Sequence, residues 1–171
     1  MLGKYIRLIL AILITALSVF LFINSFVGLG VVAVIISSLL ILFHFKNEMN
    51  LLAFIFIRKS KFSTVEGILN KVKHPERMIK SQEAYYYYLL GLTQAQTHQP
   101  ALAEKSFKKA LSTGLRLKSD QAMAKLNLAG FYLAKRNKKL AKIHIQEAKK
   151  LDKQKMLTAQ IREVEHMMKR I

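Results

Sequence analysis

From Ile6 to Ile23 the chain is apolar apart from Arg7, Thr15 and Ser18, and from Phe26 to Phe45 apart from small residues, two serines and His44. These runs are 18 and 20 residues long. A helix of about 20 residues rises roughly 30 Å, the thickness of a bilayer's hydrocarbon core. The pattern therefore predicts two membrane-spanning helices, 6–23 and 26–45. Backbone groups in lipid must be satisfied within the segment, so both are expected to be helical despite their many Val and Ile residues. Only Asn24 and Ser25 separate them, which predicts a tight antiparallel hairpin over 1–46. Ala11, Thr15 and Ser18 fall on one face of the first helix and Gly30, Ala33 and Ser37 on one face of the second. Lipid offers no hydrophobic drive for association, so these small-residue faces are expected to meet.

A third apolar stretch, Met49 to Ile57, is too short to cross. Arg58, Lys59 and Lys61 close it, and within the juxtamembrane segment 47–62 it reads either as a surface-lying helix or as a continuation of the second span. After it the pattern changes to helical periodicity. A domain over 63–171 is expected, with Pro75 starting a long helix that runs to His98, Pro100 starting the next and Gly114 ending it. Further helices are expected over about 120–136, 138–152 and 155–170.

Charge sharpens this partition. The chain has 171 residues and a formal net charge of +18, yet Lys4 and Arg7 are its only charged side chains before residue 46. Cations flank both spans and none lies in the turn, so the positive-inside rule places both ends in the cytoplasm, at a cell (inner) membrane. A cleaved leader is disfavoured because no small-residue cleavage site precedes the second apolar run. With no cysteine, disulfides, thiolate metal sites and thiol nucleophiles are excluded.

The domain contains an internal repeat. Residues 89–111 align with 127–151 at an offset of 38, pairing Leu90 with Leu128, Gly91 with Ala129, Ala103 with Ala141, Phe107 with Ile145 and Ala110 with Ala148. The order of Tyr87, Leu90, Gly91, Ala103, Phe107 and Ala110 resembles the tetratricopeptide repeat family, and Leu128, Ala129, Tyr132, Ala141, Ile145 and Ala148 follow it more loosely, with Lys125 where the aromatic belongs. The family period is about 34 residues, so the longer offset implies an extra helical turn or link. The resemblance implies an all-α fold: a short solenoid of helical hairpins, repeats about 84–117 and 122–155, with segment 63–73 and helix 155–170 as caps because two units alone bury too little core. It also implies that Tyr87 is the buried aromatic, while Tyr85, Tyr88 and Leu92 line a concave groove for a protein partner. That groove is expected to be either open or filled by the terminal helix, whose stripe is Met156, Leu157, Ile161, Val164, Met167 and Met168.

No catalytic or cofactor motif appears: no P-loop, dinucleotide fingerprint or nucleophile elbow, and no histidine pair at metal-ligand spacing. No enzyme activity, cofactor or metal is expected. The exposed cations, above all Arg58, Lys59, Lys61, Lys138, Lys139 and Lys142, suit an anionic lipid surface. Nucleic acid attracts the same charges, but no recognition fold accompanies them. The expected function is a membrane-anchored scaffold that recruits a protein. The order of parts also resembles the N-terminal organisation of HemY-type proteins, which implies as an alternative an accessory to a membrane enzyme system that handles porphyrin.

Overall fold

The computed structural model describes the backbone of residues 2–45 and 48–170, with side chains from 9 to 41 and from 49 to 170. Among these described residues the fold is all-helical: nine α-helices, one turn of 3-10 helix and no strand. The chain divides into two compact units, Met1–Glu48 and Met49–Ile171.

The first unit is a helical hairpin of α1 (Leu2–Ile23) and α2 (Val27–Phe45). Ser25, at φ 64°, makes the reversal. The small residues meet as expected: Ala11, Ser18, Gly30, Ala33 and Ser37 are buried, whereas Thr15 sits at the rim. Three contacts tie the helices at one level. The Ser37 hydroxyl lies 3.0 Å from the Ala11 carbonyl oxygen, the Thr15 hydroxyl 2.8 Å from the same oxygen, and the two hydroxyls are 2.6 Å apart. Each hydroxyl has one proton, so two of the three contacts are donated at any moment. Near the turn, a Cβ on Gly30 would sit 3.0 Å from the Phe22 ring, which explains the glycine there. Cysteines replacing Thr15 and Ser37 are expected to oxidise to an intramolecular disulfide, read as loss of both thiols from the monomer; two persistently free thiols would refute the packing. The outward surface is apolar, with 19 large hydrophobic side chains exposed between Ile9 and Ile41. Among the described residues, no helix is long and apolar enough to cross a membrane. The His44 side chain lies outside the described residues.

The second unit holds α3 (Glu48–Arg58), α4 (Phe62–Leu69), α5 (Lys80–Gln96), α6 (Pro100–Thr113), α7 (Lys118–Ala134), α8 (Lys138–Leu151) and α9 (Thr158–Arg170). Helices α5 and α6 form one hairpin and α7 and α8 another; α6 lies on α7, α4 on α5, and α9 on α7 and α8. Pro100 occupies the first turn of α6, and Gly114 ends it in the left-handed region at φ 104°, as the sequence predicts. Pro75 does not start the long helix. It opens a single 3-10 turn, Pro75–Arg77, closed by the Met78 N–H on the Pro75 carbonyl at 3.0 Å; Met78 is then extended, and α5 begins only at Lys80.

The repeat is visible in the packing. At the offset of 38, His98 (φ 59°) corresponds to Arg136 (φ 57°), and the same bond closes each turn: Gln99 N–H to Gln94 O and Asn137 N–H to Tyr132 O, both 2.8 Å. Side-chain pairs between helices also recur. A Cβ on Gly91 would lie 2.9 Å from the fully buried Phe107 ring, so glycine is what lets α5 and α6 approach; the corresponding pair, Ala129 and Ile145, trades ring volume for a methyl. Lys109 stands 5.8 Å over Tyr87, and at the matching positions Lys125 meets Glu147 at 2.8 Å, an ion pair where the first hairpin has a cation over a ring. Ser106 bonds Gln94 at 2.7 Å, whereas His144 stacks on Tyr132 at 5.4 Å.

Two segments outside the aligned residues close its ends. Val65 and Leu69 of α4 are fully buried; Leu157, just before α9, and Ile161 and Val164 within it are buried, leaving Met156 and Met167 exposed and Met168 half-buried. The stretch 49–57 belongs to the second unit as α3. Ala53 and Asn50 are buried, and the Asn50 amide donates to the Gln82 carbonyl at 3.0 Å, while Leu51, Leu52, Phe54 and Ile55 remain exposed.

Candidate functional site

The expected partner groove is not open. Tyr88 is buried, 6.3 Å from the Phe107 ring and 5.9 Å from Tyr85, and Tyr85 meets Phe54 of α3 at 6.4 Å. With Phe107 and Phe131 6.2 Å apart, these rings form a ladder from α3 through α5 and α6 to α7. Tyr85 and Leu92 are half-buried. Burial, reinforced by the Asp120 carboxylate, pushes the Tyr85 phenol up to about 12 and raises that of Tyr88 further. The terminal helix does not fill this region, because it packs on α7 and α8.

Of the expected packing residues, Gly91, Ala103, Phe107, Ala110, Leu128, Ala129, Ala141, Ile145 and Ala148 are buried. Tyr87 and Leu90 pack against the same core but are only half-buried, so Tyr87 is not the buried aromatic that was expected. Tyr86 and Tyr88 are the buried aromatics of the run, the Tyr86 hydroxyl lying 3.5 Å from the Leu69 carbonyl of α4. The alignment starts at residue 89 and leaves out α4, the counterpart of the start of α6 at the same offset, so it did not foresee which face of α5 that helix covers.

Tyr87 and Leu90 line an apolar groove of about 710 Å³ between α5 and α6. Its other wall is α6, with Leu102 49% exposed, and its rim carries Lys105, Lys108 and Lys109. Lys108 and Lys109 are held in place. Glu104 accepts from Lys108 at 2.6 Å and from Lys135, at the end of α7, at 2.5 Å; Lys109 lies 3.8 Å from the buried Glu83 carboxylate, which also accepts from Lys80 at 3.0 Å. The two lysines on Glu104 hold its pKa down at about 2, against a burial that opposes them.

That network carries a pH prediction. The Glu104 pKa is lower in the fold than its ordinary 4.5, so its contribution is complete above about pH 4.5 and is lost as pH falls toward 2. His144 is also depressed, chiefly by burial, from 6.5, so protonating it costs stability as pH falls below that value. Asp120 is raised by burial and acts in the opposite direction, being relieved by acid. Glu104→Gln is expected to cost about 1 kcal/mol at pH 7, since its lysine partners are largely in water. It should also flatten the melting temperature against pH between 4.5 and 2; an unchanged slope there would remove Glu104 from the account.

The expected membrane-facing cations fall into two groups, all exposed. Arg58, Lys59 and Lys61 cluster at the turn after α3, while Lys138, Lys139 and Lys142 lie in the first turns of α8. The two groups sit on different neighbours, since α3 packs toward α5 and α8 packs on α7 and α9. Among the described residues, no three His, Asp or Glu side chains are placed to hold a metal ion. Compared with known proteins, the chain matches no family model, no curated protein and no solved structure.

Proposed function

We propose that this protein is a membrane-anchored adaptor. The α1–α2 hairpin crosses the bilayer with both ends on the cytoplasmic side, and the second unit, a short stack of TPR-like helical hairpins, recruits a protein partner there. One observation carries the reading. The first unit is built inside out for water, with alanine, glycine and serine hydroxyls in its seam and 19 large apolar side chains on its surface. Water-soluble domains rarely expose a contiguous apolar patch of that extent, whereas close contact of small residues is how helices associate in lipid. The proposed spans, 6–23 and 26–45, include residues 6–8 and 42–45, whose side chains lie outside the described ones. The partner role is supported by what surrounds the repeat: packed hairpins and an apolar groove with a cationic rim.

Anchoring is tested by alkaline extraction of membranes, from which the full-length chain is expected to remain in the pellet. Topology follows from single cysteines, which the native sequence lacks. Ser25→Cys should react with an impermeant maleimide in intact cells, and Ser119→Cys only after permeabilisation. Release of the protein at high pH, or labelling of Ser119→Cys from outside, would overturn the assignment.

A further inference from the structure

The offset of 38 reaches one hairpin further back than the aligned residues. Ala53, Val65 and Leu69 of α3 and α4 fall on Gly91, Ala103 and Phe107 of α5 and α6, and all of these are buried. The turn recurs as well. Ser60 (φ 54°) stands where His98 and Arg136 do, and its closing bond, Lys61 N–H to Phe56 O at 3.0 Å, joins the same positions as in the other two turns. Helices α3 and α4 are thus the first of three hairpins. Each later hairpin has its first helix covered by its predecessor, α4 on α5 and α6 on α7, but α3 is itself the first helix of the second unit. The consequence is an uncovered face. Leu51, Leu52 and Ile55 of α3 are exposed, whereas at the matching positions of α5 and α7 no side chain is exposed, and Leu89 and Leu128 are buried.

We propose that this face of α3 docks on the anionic phospholipid surface of the membrane, with its apolar side chains in the acyl boundary and its cations among the head groups. The chain itself holds α3 there. Helix α2 ends at Phe45 and α3 starts at Glu48, so three residues, about 10 Å of extended chain, separate α3 from the end of the second proposed span. With 11 residues, or about 16 Å at the helical rise, α3 is too short to cross and lies along the surface instead. Its chemistry suits that place. Ala53 serves the core, while Leu51, Leu52, Phe54 and Ile55 face outward, so the helix is apolar on both sides and its outer side gains by leaving water. Arg58, Lys59 and Lys61 stand exposed at its C-terminal end, and among the described residues none of the three is paired with a carboxylate. The Arg58 guanidinium lies 6.0 Å over the Phe54 ring, at the border of the apolar face. Unpaired cations beside an apolar stripe match an anionic head-group layer above an acyl region.

This deepens the anchor reading and takes from it only that a bilayer adjoins the hairpin. The test places single cysteines, which the native chain lacks, at Leu51 or Ile55 and, as a control, at Leu117, an exposed leucine before α7. Each is labelled with nitrobenzoxadiazole in the full-length protein, reconstituted in vesicles of phosphatidylcholine and phosphatidylglycerol. Lipids carrying a nitroxide just below the head group are expected to quench the labels at 51 and 55 about threefold more than the label at 117, and more than lipids carrying it near the chain end. Vesicles of phosphatidylcholine alone should weaken that quenching. Arg58→Gln with Lys59→Gln and Lys61→Gln should abolish the difference between the two vesicle types while leaving the circular dichroism melt unchanged. Labels shifted to the blue but unquenched by either lipid would assign the face to a protein, and stronger quenching from the chain end would make α3 part of a span. Either result overturns the proposal, as do labels no more quenched than that at 117 or quenching indifferent to phosphatidylglycerol. Alkaline extraction of the same vesicles reads the spans separately. A chain that is extracted although its labels were quenched loses the spans and keeps the α3 contact; a chain that resists extraction with unquenched labels does the reverse.

Discussion

Phe107→Ala is expected to lower the unfolding free energy by about 3–5 kcal/mol, a large share of what a domain of this size holds in reserve. The ring is fully buried, touches Tyr88 and Phe131, and presses on Gly91. Its removal would leave a cavity among three helices that pack on one another. The same contact predicts a coupling. Gly91→Ala puts a methyl 2.9 Å from the ring, and the buried ring has nowhere to move. Overpacking costs about 1–3 kcal/mol, offset by about 1 kcal/mol of helix propensity. Phe107→Ile alone leaves a gap. The double variant recreates the Ala129 and Ile145 pair that the second hairpin already uses, so it should be more stable than the sum of the single effects by at least about 1 kcal/mol. Urea unfolding of the full-length chain in mild detergent, followed by far-ultraviolet circular dichroism, measures all four proteins. Strict additivity would mean that the two hairpins solve this contact independently rather than as variants of one design.

That pair also shows what was legible before the structure. The small-large-small rhythm of α6 and α8 fixes which residues face their partner helices, because a helix repeats its face every three or four residues and the alignment needed nothing else. The same holds for the hairpin seam, where Ala11 and Ser37 were recognisable as small residues on matching faces. What escaped was set by α3 and α4, which precede the aligned residues yet fall on α5 and α6 at the same offset of 38, with Ala53, Val65 and Leu69 on Gly91, Ala103 and Phe107, all of them buried. Helix α4 buries Tyr86 rather than Tyr87, and α3 brings Phe54 onto Tyr85 and helps close the expected groove. In a run of four tyrosines the side chains point around the whole helix, so periodicity alone cannot choose among them. The groove between α5 and α6 was hidden for a related reason. The helix laid on α5 is α4, which has 8 residues where its counterpart α6 has 14, and Leu90 stays half-buried where Leu128 is buried.

Lysine placed on the outer surface of the hairpin should separate a bilayer environment from water more sharply than any change to its seam. Leu13 and Ile35 lie near the middles of α1 and α2, and are 61% and 54% exposed. In water, Leu13→Lys and Ile35→Lys replace apolar surface by charge, and neither touches the seam of Ala11 and Ser37. Such changes are normally within about 0.5 kcal/mol and improve solubility. At the centre of a membrane helix each lysine costs about 2.5–3.5 kcal/mol of insertion free energy. The pair then costs about 5–7 kcal/mol, enough to turn an inserted hairpin into one that is largely excluded. In an insertion assay with a glycosylation acceptor fused beyond the spans, the double variant is expected to lose most of its integrated form, with each single variant intermediate. The control Ser37→Ala, which removes the seam hydroxyl without adding charge or bulk, should insert like the native chain. Undiminished integration of the double lysine variant would show that the apolar surface faces something other than lipid, such as a further protein subunit, and would move the anchor from the bilayer to that contact.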